Sequence, residues 1–170
     1  MEFYILSEGD LWQEILAILK QKVAEGVEIR ILYDDFGCIT CLPKQFDKEL
    51  NKIGIKTAAF NVIKPVVNNF YMNYRNHQKI CVIDGNIGYT GGANIADEYV
   101  NTVEAFGHWK DTGVRLAGRG VWSLTVNFLQ MWKYCAYNKK CGLQDEEYRH
   151  YAPSESFCAK YADTRGFVQP

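Results

Sequence analysis

Apolar positions along the chain switch between a period of two and a period near four, and these switches lay out the elements. Phe3 to Leu6 is a short apolar run of strand character. Ser7-Glu8-Gly9-Asp10 then turns the chain, with Asp10 placed as a helix N-cap. From Leu11 to Glu25 the residues Leu11, Ile15, Ile18, Leu19 and Val23 recur at helical spacing, and Gly26 stands where that helix stops. Val27 to Tyr33 alternates and is rich in β-branched residues, which predicts a strand. Its closeness to the helix predicts a β-α-β unit with parallel pairing. Pro43 with Phe46, Leu50 and Ile53 predicts a second helix, Gly54 ends it, and Ile55 to Phe60 is a third strand.

The second half is organised differently. Asn61 to Arg75 is a long connection in which Phe70, Tyr71, Met72 and Tyr74 lie between Lys64 and Arg75. It is either an apolar lip for a lipid or aromatic substrate or a loop packed down by its own aromatics. Lys79 to Ile83 and Ile87 to Thr90 read as strands joined at Asp84-Gly85-Asn86, and Asp-Gly between alternating runs is a hairpin signal. Ile95 to Tyr99 predicts a short helix, and Lys110 to Leu116 another strand. Gly118 to Gly120 is a break, and Val121 to Tyr137 a last helix whose Trp and Phe stripe reads as core. From Asn138 the pattern decays. The expected fold is α/β, a mixed, largely parallel sheet flanked by helices. The expected division is a catalytic lobe over 1–138 and a connector or tail, truncated, over 139–170.

Composition narrows the classes. The chain has 170 residues and a net charge of −1, so nothing global points to nucleic acid, and anion binding must come from a local cluster. The six cysteines include Cys38-x-x-Cys41, but no second C-x-x-C follows and His150 is not placed like a zinc ligand. They read as reduced, incidental thiols of an intracellular site rather than a zinc or disulfide framework. No run approaches the roughly 20 apolar residues of a membrane span, and there is no signal peptide. The chain alone is expected to be soluble.

The chemistry concentrates between Asn76 and Tyr99. His77-x-Lys79 is followed by Asp84 and then by Gly91-Gly92-x-Asn94. Side chains two apart on a strand share a face, so His77 and Lys79 project together, whereas Asp84 points away or lies in the turn. Backbone N–H groups at a glycine turn that opens a helix aim at an anion. Lys79 adds a full charge and the Asn94 amide one more donor, a set able to balance a phosphorane without metal. The neutral His77 imidazole can attack phosphorus if a carboxylate orients it. Asp111 is the first candidate, with Glu104 and Glu98 as alternatives. The acid pair Asp34-Asp35 lies in a loop after a strand, where it either binds metal or anchors the loop.

The combined spacing, His77-x-Lys79-x4-Asp84-x6-Gly91-Gly92-x-Asn94, resembles the signature of the phospholipase D superfamily. Leu32-Tyr33-Asp34-Asp35-Phe36-Gly37, Asn73-Tyr74-Arg75-Asn76, Ile95-x-Asp97-Glu98-Tyr99 and Trp109-Lys110-Asp111-Thr112 resemble bacterial cardiolipin synthases over roughly Phe3 to Tyr137. Gly113 departs from that pattern, where a His is expected.

The resemblance implies phosphatidyl transfer between two phosphatidylglycerols through a phosphohistidine, without cofactor or metal. It implies His77, Lys79, Asp84 and Asp111 as catalytic residues, Asp111 matching the acid that orients the motif's histidine. Lys79, Gly91, Gly92 and Asn94 then hold the substrate phosphate. The family's site takes two copies of the motif, and this chain has one. The expectation is therefore half a site, the first catalytic lobe, completed by a second H-x-K lobe in cis or by homodimerisation. The whole protein is expected at the bacterial cell membrane, with no nucleic acid partner. The alternatives are a single-motif phosphodiesterase or nuclease acting as a homodimer, or an inactive phosphate-binding fragment.

Overall fold

The computed structural model describes residues 1–63, 73–136 and 145–161. Its spine is β2 (Ile29–Asp34), where Ile29, Ile31 and Tyr33 turn to one face of the sheet and Leu32 and Asp34 to the other, all buried. β3 (Ile55–Phe60) pairs with it in parallel, Ile29 opposite Ile55. β1 (Glu2–Phe3) pairs in parallel on its other side, Glu2 opposite Leu32. The parallel sense follows from the connections. α1 (Asp10–Ala24) links β1 to β2, while α2 (Asp35–Cys38) and α3 (Phe46–Lys52) link β2 to β3.

β4 (Ile80–Ile83), β5 (Ile87–Gly91) and β6 (Gly113–Ala117) extend the sheet antiparallel, giving the order β3-β2-β1-β4-β5-β6. The hairpin between β4 and β5 turns at Asp84 and Gly85, both at positive φ (51° and 65°), as the favoured hairpin turns require.

Helices cover the two faces unequally. On one face Trp12 of α1 and Phe46 and Leu50 of α3 close over Ile29, Ile31, Tyr33 and Ile55. On the other, α4 (Val121–Ala136) lays Phe128, Leu129 and Trp132 on Leu32 and Ala58. Gly88 of β5 lets Val121 and Leu124 approach. Each large apolar side chain so buried contributes about 1.5–3 kcal/mol.

Element positions follow the apolar periods, although β1 covers only Glu2–Phe3 where Phe3 to Leu6 was expected and β6 begins at Gly113 rather than Lys110. Asp10 was expected to cap α1, but the N-cap is Gly9 and no local side chain caps it. Asp97 does so from a distant 3-10 turn (Asp97–Val100), accepting the N–H groups of Asp10 (3.0 Å) and Leu11 (2.9 Å). The polar tail contains α5 (Asp145–His150) and α6 (Glu155–Tyr161).

Of the described tail residues only Tyr148 and Tyr151 pack against the cluster of Phe128, Leu129 and Trp132, too few apolar positions to announce a period. The Arg30 guanidinium lies between the rings of Trp132 (5.6 Å) and Tyr151 (5.4 Å) and donates to the Tyr151 hydroxyl at 2.7 Å. Ser154 N–H donates to Asn86 Oδ1 at 3.0 Å, and a side chain at Gly85 would collide with the Tyr151 carbonyl.

The aromatic cluster Phe70, Tyr71 and Met72 lies outside the described residues. Among the described residues the cysteines are free, and no helix is long and apolar enough to cross a membrane. Cys38 is buried, its sulfur accepts the Leu6 N–H at 3.2 Å, and burial pushes its thiol up to about 12.

Candidate active site

The segment carrying His77 is pinned from below by two buried acids. Asp34, at the end of β2, is 1% exposed. Its Oδ1 accepts the Gly37 N–H at 3.0 Å and lies 3.3 Å from Arg75 Nη1, while its Oδ2 accepts the Asn76 N–H at 3.0 Å. The Asn76 side chain donates to Glu2 Oε1 of β1 and accepts the Gln78 N–H at 3.2 Å. Asp35 Oδ2 accepts the Ile63 N–H at 2.8 Å. Of the two readings of the acid pair, this is the anchor: both carboxylates order backbone.

Above this anchor the His77 ring lies flat on Tyr4, with ring centroids 3.9 Å apart and planes 16° from parallel. Lys79 Nζ stands 5.6 Å from the centre of the same ring and donates to the His77 carbonyl at 2.7 Å. The expected convergence of His77 and Lys79 therefore occurs on a shared aromatic floor, just before β4 begins. Nothing in the spacing singles out Tyr4 among eleven tyrosines. It becomes visible only once β1 is known to lie beside β4.

The glycine turn meets Asp111. A side chain on Gly92 would collide with the Asp111 carboxylate, and one on Gly91 would come within 2.7 Å of the Thr112 carbonyl. Neither glycine has positive φ; closeness to the Thr112 backbone at Gly91 and to the Asp111 carboxylate at Gly92, rather than an unusual turn, accounts for them. Asp111 accepts the Trp109 indole N–H at 3.2 Å and the Thr112 N–H at 2.7 Å. The Trp109 indole first, then the N–H groups of Thr112 and Gly92 and the Lys79 charge, hold its carboxyl below the usual aspartate range. Partial burial lowers the Lys79 ammonium, and Asp111 opposes that.

Asn94 is 6% exposed and bridges elements. Its Oδ1 accepts the Ile5 N–H at 2.9 Å, beside Tyr4, and its Nδ2 donates to the Tyr99 hydroxyl at 2.8 Å. Tyr99 packs edge-on against Trp109, 4.7 Å between ring centres. The chain of contacts Asn94–Tyr99–Trp109–Asp111 thus ties the helix-opening end of the motif to its acid.

His77, Lys79, Gly91, Gly92 and Asp111 come together, and Asn94 supports them from beneath. Asp84 does not join them. It sits in the hairpin turn at the far end of β4, beyond four strand residues or about 13 Å, and faces a different cavity, of about 440 Å³, with Arg30 and Tyr151. Among the described residues no hydrogen bond links the His77 ring to Asp111, Glu98 or Glu104. A second cavity of about 480 Å³ opens beside Lys79 and Asp111 and is lined by Phe3, Cys81, Tyr89 and Arg115.

This arrangement can hold an anion at Lys79 and present an imidazole beside it. Residues 2–121 match the family model described as cardiolipin synthase, PLD-like domain. The chain is 46% identical to cardiolipin synthase 2 of Bacillus cereus over 134 residues, which is 79% of this chain and 26% of that protein. It is 36% identical to the major cardiolipin synthase ClsA of Bacillus subtilis over 155 residues, 90% of this chain and 32% of that protein. The chain thus spans about a quarter to a third of the length of the relatives it matches. Among solved structures, NucT from Helicobacter pylori superposes with a TM-score of 0.56 at 20% identity, covering 79% of this chain and 77% of that one, a likeness of fold. Motif, sheet and family match agree: the chain belongs to the cardiolipin synthase family of phospholipase D-like domains.

Proposed function

We propose that this chain is a phosphatidyl-transferring lobe that makes cardiolipin from two phosphatidylglycerols, and that it holds half of the active site. The observation that carries this is the convergence of His77 and Lys79 on one ring with Asp111 beside Lys79. A nitrogen of the His77 imidazole attacks the phosphorus of the first phosphatidylglycerol. The bond from phosphorus to the glycerol oxygen breaks, and that oxygen takes a proton from an acid facing His77. A hydroxyl of the second phosphatidylglycerol then attacks the phosphohistidine, the P–N bond breaks, and the same facing group accepts the proton.

Lys79 carries the charge of the transferring phosphoryl group. Gly91 and Gly92 put no side chain in its approach, Asn94 braces the turn, and Asp111 sets the position of Lys79 and the polarity around the imidazole. One H-x-K occurs in the 170 residues, so the facing acid belongs to a second such lobe, in the same protein or in a second copy. The substrate's chemistry puts the whole protein at a membrane surface.

Incubation with vesicles of phosphatidylglycerol labelled in the phosphate, with the second lobe supplied, tests this. Cardiolipin should form, with acid-labile label trapped on the chain, and His77→Ala should abolish both. Cardiolipin made at an unchanged rate by His77→Ala refutes the proposal. Cleavage of DNA with no action on phosphatidylglycerol points instead to a nuclease.

A further inference from the structure

We infer that Tyr4 is a positioning residue for this transfer: its ring face fixes the plane of the His77 imidazole and stabilises that ring when it becomes cationic. The inference deepens the transferase reading and rests on it. An imidazole that attacks phosphorus must keep one nitrogen aimed along the line of attack, and it carries positive charge once phosphorylated or protonated. A carboxylate on the second nitrogen would meet both needs, yet among the described residues none hydrogen-bonds there. The parallel contact with Tyr4, 3.9 Å between centres and 16° between planes, limits the ring to rotation within its own plane. An aromatic face at that distance attracts a cationic ring. Lys79 Nζ lies 5.6 Å from the centre of the same ring, so both motif side chains are referred to one aromatic group.

The Tyr4 backbone is held by its neighbours. The Cys38 thiol donates to its carbonyl at 3.5 Å, and Asn94 accepts the N–H of the next residue, Ile5. Gly37 lies directly against it: a side chain at 37 would strike the Tyr4 carbonyl and come within 3.0 Å of the ring edge. Asp34, which pins Gly37, also pins Asn76. One buried carboxylate therefore sets both the floor and the ring that rests on it. The charged groups around the stack are Lys79, Asp111 across from it, and the Asp34–Arg75 pair beneath Tyr4.

Proton NMR of the 170-residue chain tests the contact without any need for turnover. His77 signals, identified by their loss in His77→Ala, should lie upfield from the Tyr4 ring current and show contacts to Tyr4 ring protons. Tyr4→Leu should remove the upfield shift and the ring contacts, whereas Tyr4→Phe should keep both. With the second lobe supplied, Tyr4→Leu should lower kcat about fivefold with KM unchanged, and Tyr4→Phe should restore it. An unshifted His77 in the unmutated chain overturns the inference even if Tyr4→Leu fails to fold. So does a Tyr4→Phe as impaired as Tyr4→Leu, or a Tyr4→Leu with full kcat. Full transfer by His77→Ala overturns the reading of the site on which it rests, and the NMR contact distinguishes that failure from the others.

Discussion

Asp97 caps a helix that begins 87 residues earlier: its carboxylate oxygens accept the N–H groups of Asp10 and Leu11. No side chain local to α1 does this, and Gly9 leaves the carboxylate room. Asp97→Ala should cost about 1–2 kcal/mol, the range for a lost N-cap with its favourable helix-dipole contact. Asp97→Asn, which keeps one of the two acceptor oxygens, should recover only part of it. Urea denaturation followed by circular dichroism measures both, and an unchanged midpoint for Asp97→Ala would show that water caps α1 equally well.

Asp34 is the buried end of an ion pair with Arg75, whose side chain is 7% exposed. Asp34→Ala removes the acceptor for two backbone N–H groups and the counter-charge of Arg75. Loss of one partner from such a pair is worth about 3–5 kcal/mol, enough to bring the chain close to unfolding at room temperature. Arg75→Met together with Asp34→Leu should be less damaging than Asp34→Ala alone. Equal losses in the two variants would refute this account.

Asp111 offers a check on the surroundings of Lys79. Trp109→Phe removes the indole N–H that contributes most to holding its carboxyl down, so its titration should move up toward the usual aspartate range. The sign for stability follows: a depressed folded-state value favours the fold above the ordinary aspartate range and loses that contribution as pH falls through the lowered value. Gly92→Ala should move the titration in the same direction by displacing the carboxylate. Carbon-detected titration of the side-chain carboxyl reads both. An Asp111 that titrates like a free aspartate in the unmutated chain would remove the basis for either expectation.

Glu2 runs the other way. Burial pushes its carboxyl up, opposed by the Asn76 hydrogen bond, and its Oε2 has no partner among the described residues. The folded chain then holds the proton more tightly than the unfolded chain. Stability from this group is full below the ordinary glutamate value and drains as pH rises through the raised one. As pH rises from the ordinary glutamate value through the raised one, the unmutated chain should lose stability relative to Glu2→Gln. Parallel urea midpoints across that interval would contradict it.

Much of the site was legible in the sequence because its parts are close along the chain. His77 and Lys79 lead into one hairpin and the glycine turn ends it, and strand alternation alone predicts that the first two meet. What stayed hidden depends on partners brought by topology. Tyr4 reaches His77 only because β1 lies between β2 and β4. Glu2 looks like an exposed acid until Asn76 closes over it, and Gly37 looks like a turn residue until Tyr4 is seen against it. The tail helices were invisible for another reason. They dock through a pair of tyrosines, a cation between two rings and backbone groups, contacts too few to leave a hydrophobic period.

The turn Asp84-Gly85-Asn86 carries a practical consequence for anyone who recombines such proteins. It stands at the end of β4 remote from His77, and its surface is shaped to Tyr151 and Ser154. A hybrid that splices this lobe to a foreign continuation should take residues 84–86 and 151–154 from the same parent. A crossover between them would leave His77 and Lys79 in place and still remove the fit of Tyr151 and Ser154 to the turn.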